Sequence, residues 1–185
     1  ARRHRSAEGF GNGPCCDHNR KTWLERVEAA GLVVQGAKLL RREIPQVEVV
    51  RHRTAITRRD LSQPVQILVN HCIISPTSTV LDYGCGQGDD VTALIANGFQ
   101  AYGWDPHYAP DGPLDRADVV NLGFVLNVIE DQHEHAETLA AAYALVQRAL
   151  CVAVMPLGKY TCKSLRPYGD GYLTGRETFQ KYFTQ

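Results

Sequence analysis

Val80-Leu81-Asp82-Tyr83-Gly84-Cys85-Gly86-Gln87-Gly88-Asp89-Asp90 is the stretch from which the rest of the chain is read. An apolar run leads into an acidic residue, then into glycines at three alternate positions, then into a helix-like segment. This is the pattern of a buried strand turning sharply into a helix. Glycine has no Cβ, so such a turn can adopt positive φ and lie close to a ligand. The helix that follows presents unpaired N–H groups at its start. The pattern predicts the floor of a nucleotide-type cofactor pocket at the carboxyl end of a parallel strand. Its bland counterpart is a glycine-rich turn with no ligand.

The spacing separates two kinds of pocket. A dinucleotide fingerprint needs G-x-G-x-x-G and seats a pyrophosphate on the helix N-terminus. Here the third glycine comes one residue early, and Asp89 stands where that motif requires glycine. Asp82, Asp89 and Asp90 would also repel a pyrophosphate. A cationic, phosphate-free ligand suits the stretch better. The residues Asp82 to Gly88 resemble motif I (D/E-x-G-x-G-x-G) of the class I S-adenosylmethionine-dependent methyltransferases. The resemblance implies S-adenosylmethionine as cofactor, with Asp82, Gly84, Cys85, Gly86 and Gly88 around its methionine part.

The 185 residues suffice for one domain with an appendage and a sizeable core. No run approaches the roughly 20 apolar residues of a membrane span, and no apolar segment follows the basic N-terminus. Six scattered cysteines argue against a disulfide framework and for a reducing, cytoplasmic setting. Cys15-Cys16-x-His18 lacks a second ligand pair, so no metal site is expected. The first residue is Ala, consistent with a processed or truncated chain. Net charge is zero but segregated. Lys38 to Arg59 holds seven Lys/Arg against two Glu, and Asp82 to Glu137 holds eleven Asp/Glu against one Arg. The basic run reads either as a face for a polyanion such as DNA or as a solvated surface.

In chain order, residues 1–21 are polar, basic and Gly-rich, the composition of a loose arm. Thr22, with Glu25 three residues on, predicts a capped helix from Trp23 to Ala30, ended by Gly31. Leu32–Leu40 reads as a strand or short helix, and Val47–Val50 as a strand. Residues 1–50 therefore form an arm and a small appendage, and 51–185 the main domain. Ser62 opens a helix with Pro64 in its first turn and Val65, Leu68, Val69 and Cys72 at helical spacing; Ser75-Pro76 ends it. Thr79–Asp82 is the first core strand. Val91–Asn97 is a helix with Val91, Leu94 and Ile95 on one face, and Gln100–Trp104 is the second strand.

That second strand ends in Asp105-Pro106, 23 residues beyond Asp82. An acidic residue there is placed to accept hydrogen bonds from ribose hydroxyls, or is simply a turn Asp before Pro. The stretch from Asp105 to Asp118 is too short for a helix and a third strand. Ala117–Asn121 is the next strand, Asp131–Arg148 a helix with Leu139, Ala142, Tyr143 and Val146 as its stripe, and 149–155 a buried strand. The order β-α-β-β-α-β from 79 to 155 is a doubly wound, Rossmann-like, mostly parallel α/β core lacking the third and the last strands. After Pro156, basic residues alternate with aromatics, suiting either a base-stacking surface or packing of the tail onto the sheet.

Asn121-Leu122-Gly123-Phe124 sits where DNA amino-methyltransferases carry Asn/Asp/Ser-Pro-Pro-Tyr/Phe, although both prolines are absent. The resemblance gives Asn121 the target amine and Phe124 the stacking ring; the alternative is core packing. Several stretches together resemble the methyltransferases associated with DNA phosphorothioation in bacteria. These are His52–Ile56, Asp82–Val91, Gly103–Pro106, Val119–Asp131 and Gly175–Tyr182. That resemblance implies DNA and other proteins of a DNA-modification system as partners. A non-catalytic module that binds cofactor or nucleic acid within an assembly is the alternative.

Overall fold

The computed structural model describes residues 14–29, 32–41, 49–158 and 165–184. The chain divides into two units, Ala1–Pro45 and Gln46–Gln185. The first holds helix α1 (Pro14–Ala29) and an antiparallel hairpin, β1 (Leu32–Gln35) with β2 (Lys38–Arg41), turned at Gly36. The loose arm expected over 1–21 is thus helical from Pro14, and residues 1–13 lie outside the described residues. Proline at the first helical position gives up an N–H that has no partner there, and Arg20, Lys21, Leu24, Glu25 and Arg26 are good helix formers. Thr22 is consequently an interior residue and not a cap. Residues 47 and 48 of the expected strand lie outside the described residues, and Val49 and Val50 are irregular.

The second unit is built on a four-stranded parallel sheet in the order β4-β3-β5-β6. Its strands are β3 (Thr79–Tyr83), β4 (Gln100–Trp104), β5 (Ala117–Gly123) and β6 (Val146–Ala153). Side chains alternate between the two faces of a strand, and both faces are covered. Val80 and Val119 face Val65 and Leu68 of α2 (Gln63–Asn70) and Leu94 of α3 (Asp89–Ala96). Leu81, Val120 and Leu122 pack with Ala142 of α4 (Gln132–Ala144). This double coverage is why consecutive residues such as Val80-Leu81 and Val119-Val120 are apolar.

Among the described residues no strand lies beyond β4, as the short 105–118 stretch predicts. The tail forms a separate antiparallel sheet, β7 (Arg166–Tyr168), β8 (Gly171–Leu173) and β9 (Phe179–Gln180). No helix among the described residues is long and apolar enough to cross a membrane.

Three helix expectations need correction. α2 stops at Asn70, so Cys72 (φ 54°) leaves the helix and is exposed. α4 stops at Ala144, and Val146 to Arg148 belong to β6, where Val146 pairs with Ala117. The ladder to β5 overrides the helical pattern there. Of the predicted stripes, Ala142 and Leu94 are buried, whereas Leu139, Tyr143 and Ile95 are exposed. Asp131 caps α4, accepting from His133 N at 2.7 Å and Glu134 N at 3.0 Å. Asp131→Ala is expected to cost about 1 kcal/mol in urea unfolding, and Asp131→Ser to recover most of it.

Candidate cofactor and acceptor cavity

The turn after β3 takes its shape from three glycines at positive φ: Gly84 at 83°, Gly86 at 54° and Gly88 at 79°. Gly88 is the N-cap of α3. The turn is tied to the end of β4, because Gly84 N and Cys85 N both donate to Trp104 O, at 2.7 and 3.1 Å. Asp105 completes the tie: its Oδ2 accepts from Gly86 N at 3.1 Å. Its Oδ1 accepts from His107 N and Tyr108 N, each at 2.9 Å. A carboxylate offers about four lone-pair positions, so Oδ2 keeps one free acceptor direction.

These groups border a cavity of about 560 Å³, within the usual range for small-molecule sites. Gly84, Cys85, Gly86, Asp105, Pro106 and Phe124 are on its wall. Asp82, Gly88 and Asn121 are not among the lining residues. Asp82 and Asn121 are instead buried side by side in the sheet, with Asn121 Nδ2 donating to Asp82 Oδ1 at 2.8 Å. Phe124 reaches the wall through a left-handed backbone (φ 63°), an unusual conformation for an aromatic residue, held by Phe124 N donating to Ala153 O at 2.8 Å.

Burial raises the Asp82 pKa from 3.8 to about 7, with the Asn121 hydrogen bond opposing and the charges of Asp90 and Asp105 adding. Asn121 Oδ1 is buried without a hydrogen-bond partner among the described residues. Since the folded pKa lies above the unfolded one, the native state holds a proton between about pH 4 and 7 that the unfolded chain has released. Stability therefore falls with pH across that window and levels off above it, by up to about 4 kcal/mol. Asp82→Asn removes this dependence, and its amide N–H can supply the partner that Asn121 Oδ1 lacks. Urea unfolding at about pH 5 and about pH 8 checks this; parallel wild-type and variant stabilities would refute it. Cys85 is pushed up to about 12 by burial and by Asp82 and Asp105, so it is a neutral thiol and not a nucleophile.

A segment not given a site role from the sequence closes the cavity. Arg51–Thr54 is a short 3-10 turn, and Ala55 to Arg58 run past the glycine turn. A Cβ on Gly86 would lie 3.3 Å from Ala55 Cβ. Arg58 N donates to Asp89 Oδ2 at 2.5 Å, Thr57 Oγ1 to Gln87 Oε1 at 3.0 Å, and Ser62 N to Asp90 Oδ1 at 2.6 Å. At the other end Arg51 is held by Glu130 and Glu134. The His52 and His107 rings stack at 3.9 Å, and Tyr108 OH donates to His52 O at 3.0 Å. Asn127 ties in the tail: its Nδ2 donates to Lys181 O at 2.6 Å, and its Oδ1 accepts from Met155 N at 3.1 Å. Met155 and Gln180 thereby join the wall. The sequence signals for this segment are the resemblance carried by His52–Ile56 and the charge segregation, because Arg51 and Arg58 lie in the basic run and their partners in the acidic one.

A solved structure to which the chain is similar is that of Burkholderia thailandensis 1,6-didemethyltoxoflavin-N1-methyltransferase with bound 1,6-didemethyltoxoflavin and S-adenosylhomocysteine. The TM-score is 0.50 at 15% identity, over 98% of this chain and 77% of that one. The chain shares the Rossmann-like fold of that methyltransferase. No protein-family model matches the chain, and no curated protein does. The narrower likeness to phosphorothioation-associated methyltransferases therefore has no counterpart in these comparisons.

Proposed function

We propose that this chain binds S-adenosylmethionine and transfers its methyl group to an acceptor in the same cavity. The observation that carries this is the three-glycine turn knitted to Asp105 at the carboxyl ends of β3 and β4, opening onto a cavity of about 560 Å³. The residues fit such a ligand. The glycines leave a cradle without side chains, and the carboxylates around it suit a sulfonium and an ammonium rather than a pyrophosphate.

Gly84, Cys85 and Gly86 would cradle the methionine part, with Gly88 shaping the turn and Asp82 supporting it from beneath. Asp105 would accept a ribose hydroxyl through the free direction on Oδ2, with Pro106 beside it. When bound, the cofactor supplies an electrophilic methyl carbon, and its transfer needs alignment of the acceptor more than acid–base groups. Phe124 offers a ring face against which a flat acceptor can be aligned. Asn121, buried in the sheet, would act on the site through Asp82 rather than by touching the acceptor.

The narrower reading implied by the resemblance is an acceptor in DNA, within a phosphorothioation-linked system of the bacterial cytoplasm. The neighbouring structure supports a small heterocycle as an equally natural acceptor for this fold. The first test is calorimetric titration of the full chain with S-adenosylmethionine and S-adenosylhomocysteine. It is followed by labelled-methyl transfer to DNA and to small heterocycles. Micromolar binding with transfer is expected; binding without any transfer favours a non-catalytic module, and a folded chain that binds neither ligand sinks the proposal.

A further inference from the structure

Two cations of the basic run, Arg51 and Arg58, line the cavity, and both face carboxylates there. Arg51 donates through Nε and Nη2 to Glu130 at 2.9 and 3.0 Å. It donates through Nη1 and Nη2 to Glu134 at 2.5 and 2.7 Å. Four of its five N–H donors are spent on two carboxylates, and no bidentate edge is left for a phosphate. Arg58 Nη1 lies 3.9 Å from Asp90, and Arg53 Nη1 lies 4.0 Å from Glu177. Among the described lining residues, Asp89, Asp90, Asp105 and Glu134 stand against two guanidinium groups, those of Arg51 and Arg58. The wall therefore carries more negative than positive charge, partly out of water, where like charges repel strongly.

Resting on the cofactor reading above, we propose that Glu130 and Glu134 mask Arg51 and make this cavity select an uncharged or cationic acceptor with N–H donors, and reject anionic ones, nucleic acid included. Each Glu134 oxygen accepts one N–H from Arg51 and keeps a second acceptor direction. Glu134 lines the cavity together with Phe124, Ile129 and Met155. A flat donor lying on the Phe124 ring can thus place its N–H groups against a carboxylate. A phosphodiester meets a guanidinium that is already occupied, with surplus carboxylate around it. The mask also holds the covering segment, so the groups that select the ligand are those that close the cavity over it.

Benzamidine and benzoate test this, being nearly the same shape with opposite charge. S-adenosylhomocysteine is titrated first, and its heat alone decides the cofactor reading. The two probes and a short DNA duplex are then titrated into the full chain with and without it. Wild type is expected to prefer benzamidine by at least about tenfold and to give no heat with the duplex. In the Glu130→Gln/Glu134→Gln double variant Arg51 loses its carboxylate partners, and the preference for benzamidine over benzoate should fall to within about threefold of unity. Circular dichroism and urea unfolding confirm that the variant is folded, and Glu134→Gln alone, expected to lower the preference, replaces it if it is not. Duplex binding by wild type, no response to benzamidine, or an unchanged preference in the folded variant overturns the proposal.

Discussion

Asp105→Ala is expected to lower the affinity for S-adenosylmethionine by about 100-fold while the chain stays folded. Hydrogen bonds to a charged acceptor are worth about 1.5–3 kcal/mol, and 2.7 kcal/mol is about two decades in the dissociation constant. The carboxylate does two jobs. It ties Gly86 N of the glycine turn to the loop after β4, and it offers the remaining direction on Oδ2 to a ribose hydroxyl. Truncation removes both, so affinity should fall further than stability. His107 and Tyr108 are exposed, and their N–H groups can turn to water. Asp105→Asn keeps one acceptor oxygen and turns the other into a donor, so it can serve either Gly86 N with the ribose or His107 N with Tyr108 N; an intermediate loss of about tenfold is expected. Calorimetry on both variants, beside urea unfolding, makes the comparison. Unchanged affinity in a folded Asp105→Ala chain would remove Asp105 from the site.

Gly84→Ala is expected to destabilise the chain by about 3 kcal/mol or more and to abolish cofactor binding. Two causes act together. The backbone at φ 83° disfavours any L side chain, at a cost of about 1 kcal/mol or more. The new Cβ would also lie 2.3 Å from Val125 Cγ2, a contact that cannot persist. Val125 is β-branched and begins the turn after Phe124, so it has few rotamers with which to retreat. Val125→Ala removes the clash but not the strained φ. Gly84→Ala/Val125→Ala should therefore recover the steric part of the loss and leave about 1 kcal/mol of backbone cost, as a double-mutant cycle can measure. Additive losses would mean that the two residues do not meet as described.

The residues of the cavity differ in how far the sequence reveals them. Gly84 and Asp105 stand in local patterns, the alternating glycines after an apolar run and the acid that closes the next strand. Arg51 and Glu134 stand in no pattern that a local reading detects, since 83 residues separate them. What the sequence offered was a charge imbalance, basic before the glycine turn and acidic after it. A polyanion face was one natural reading of the first half. The structure instead sets Arg51 and Arg58 of the first half, on the wall of the cavity, against Glu130, Glu134 and Asp90 of the second.

The chain by itself determined its parallel core. Strands covered on both faces favour apolar residues, a helix start favours residues such as Ser62 and Asp131, and backbone at positive φ favours glycine, as at Gly84, Gly86 and Gly88. These are local demands of backbone sterics and burial, and they leave their mark residue by residue. The ends of α2 and α4 were decided by tertiary contacts, above all by the ladder that draws Val146 onto Ala117 and into β6. So was the fate of Asn121, which belongs to a strand whose register sets it against Asp82 and away from the cavity wall. The covering segment, the masked Arg51 and the Asn127 tie exist only because folding brings distant charges and amides within hydrogen-bonding distance. The energy of such contacts depends on that distance, and the order of residues along the chain does not record it.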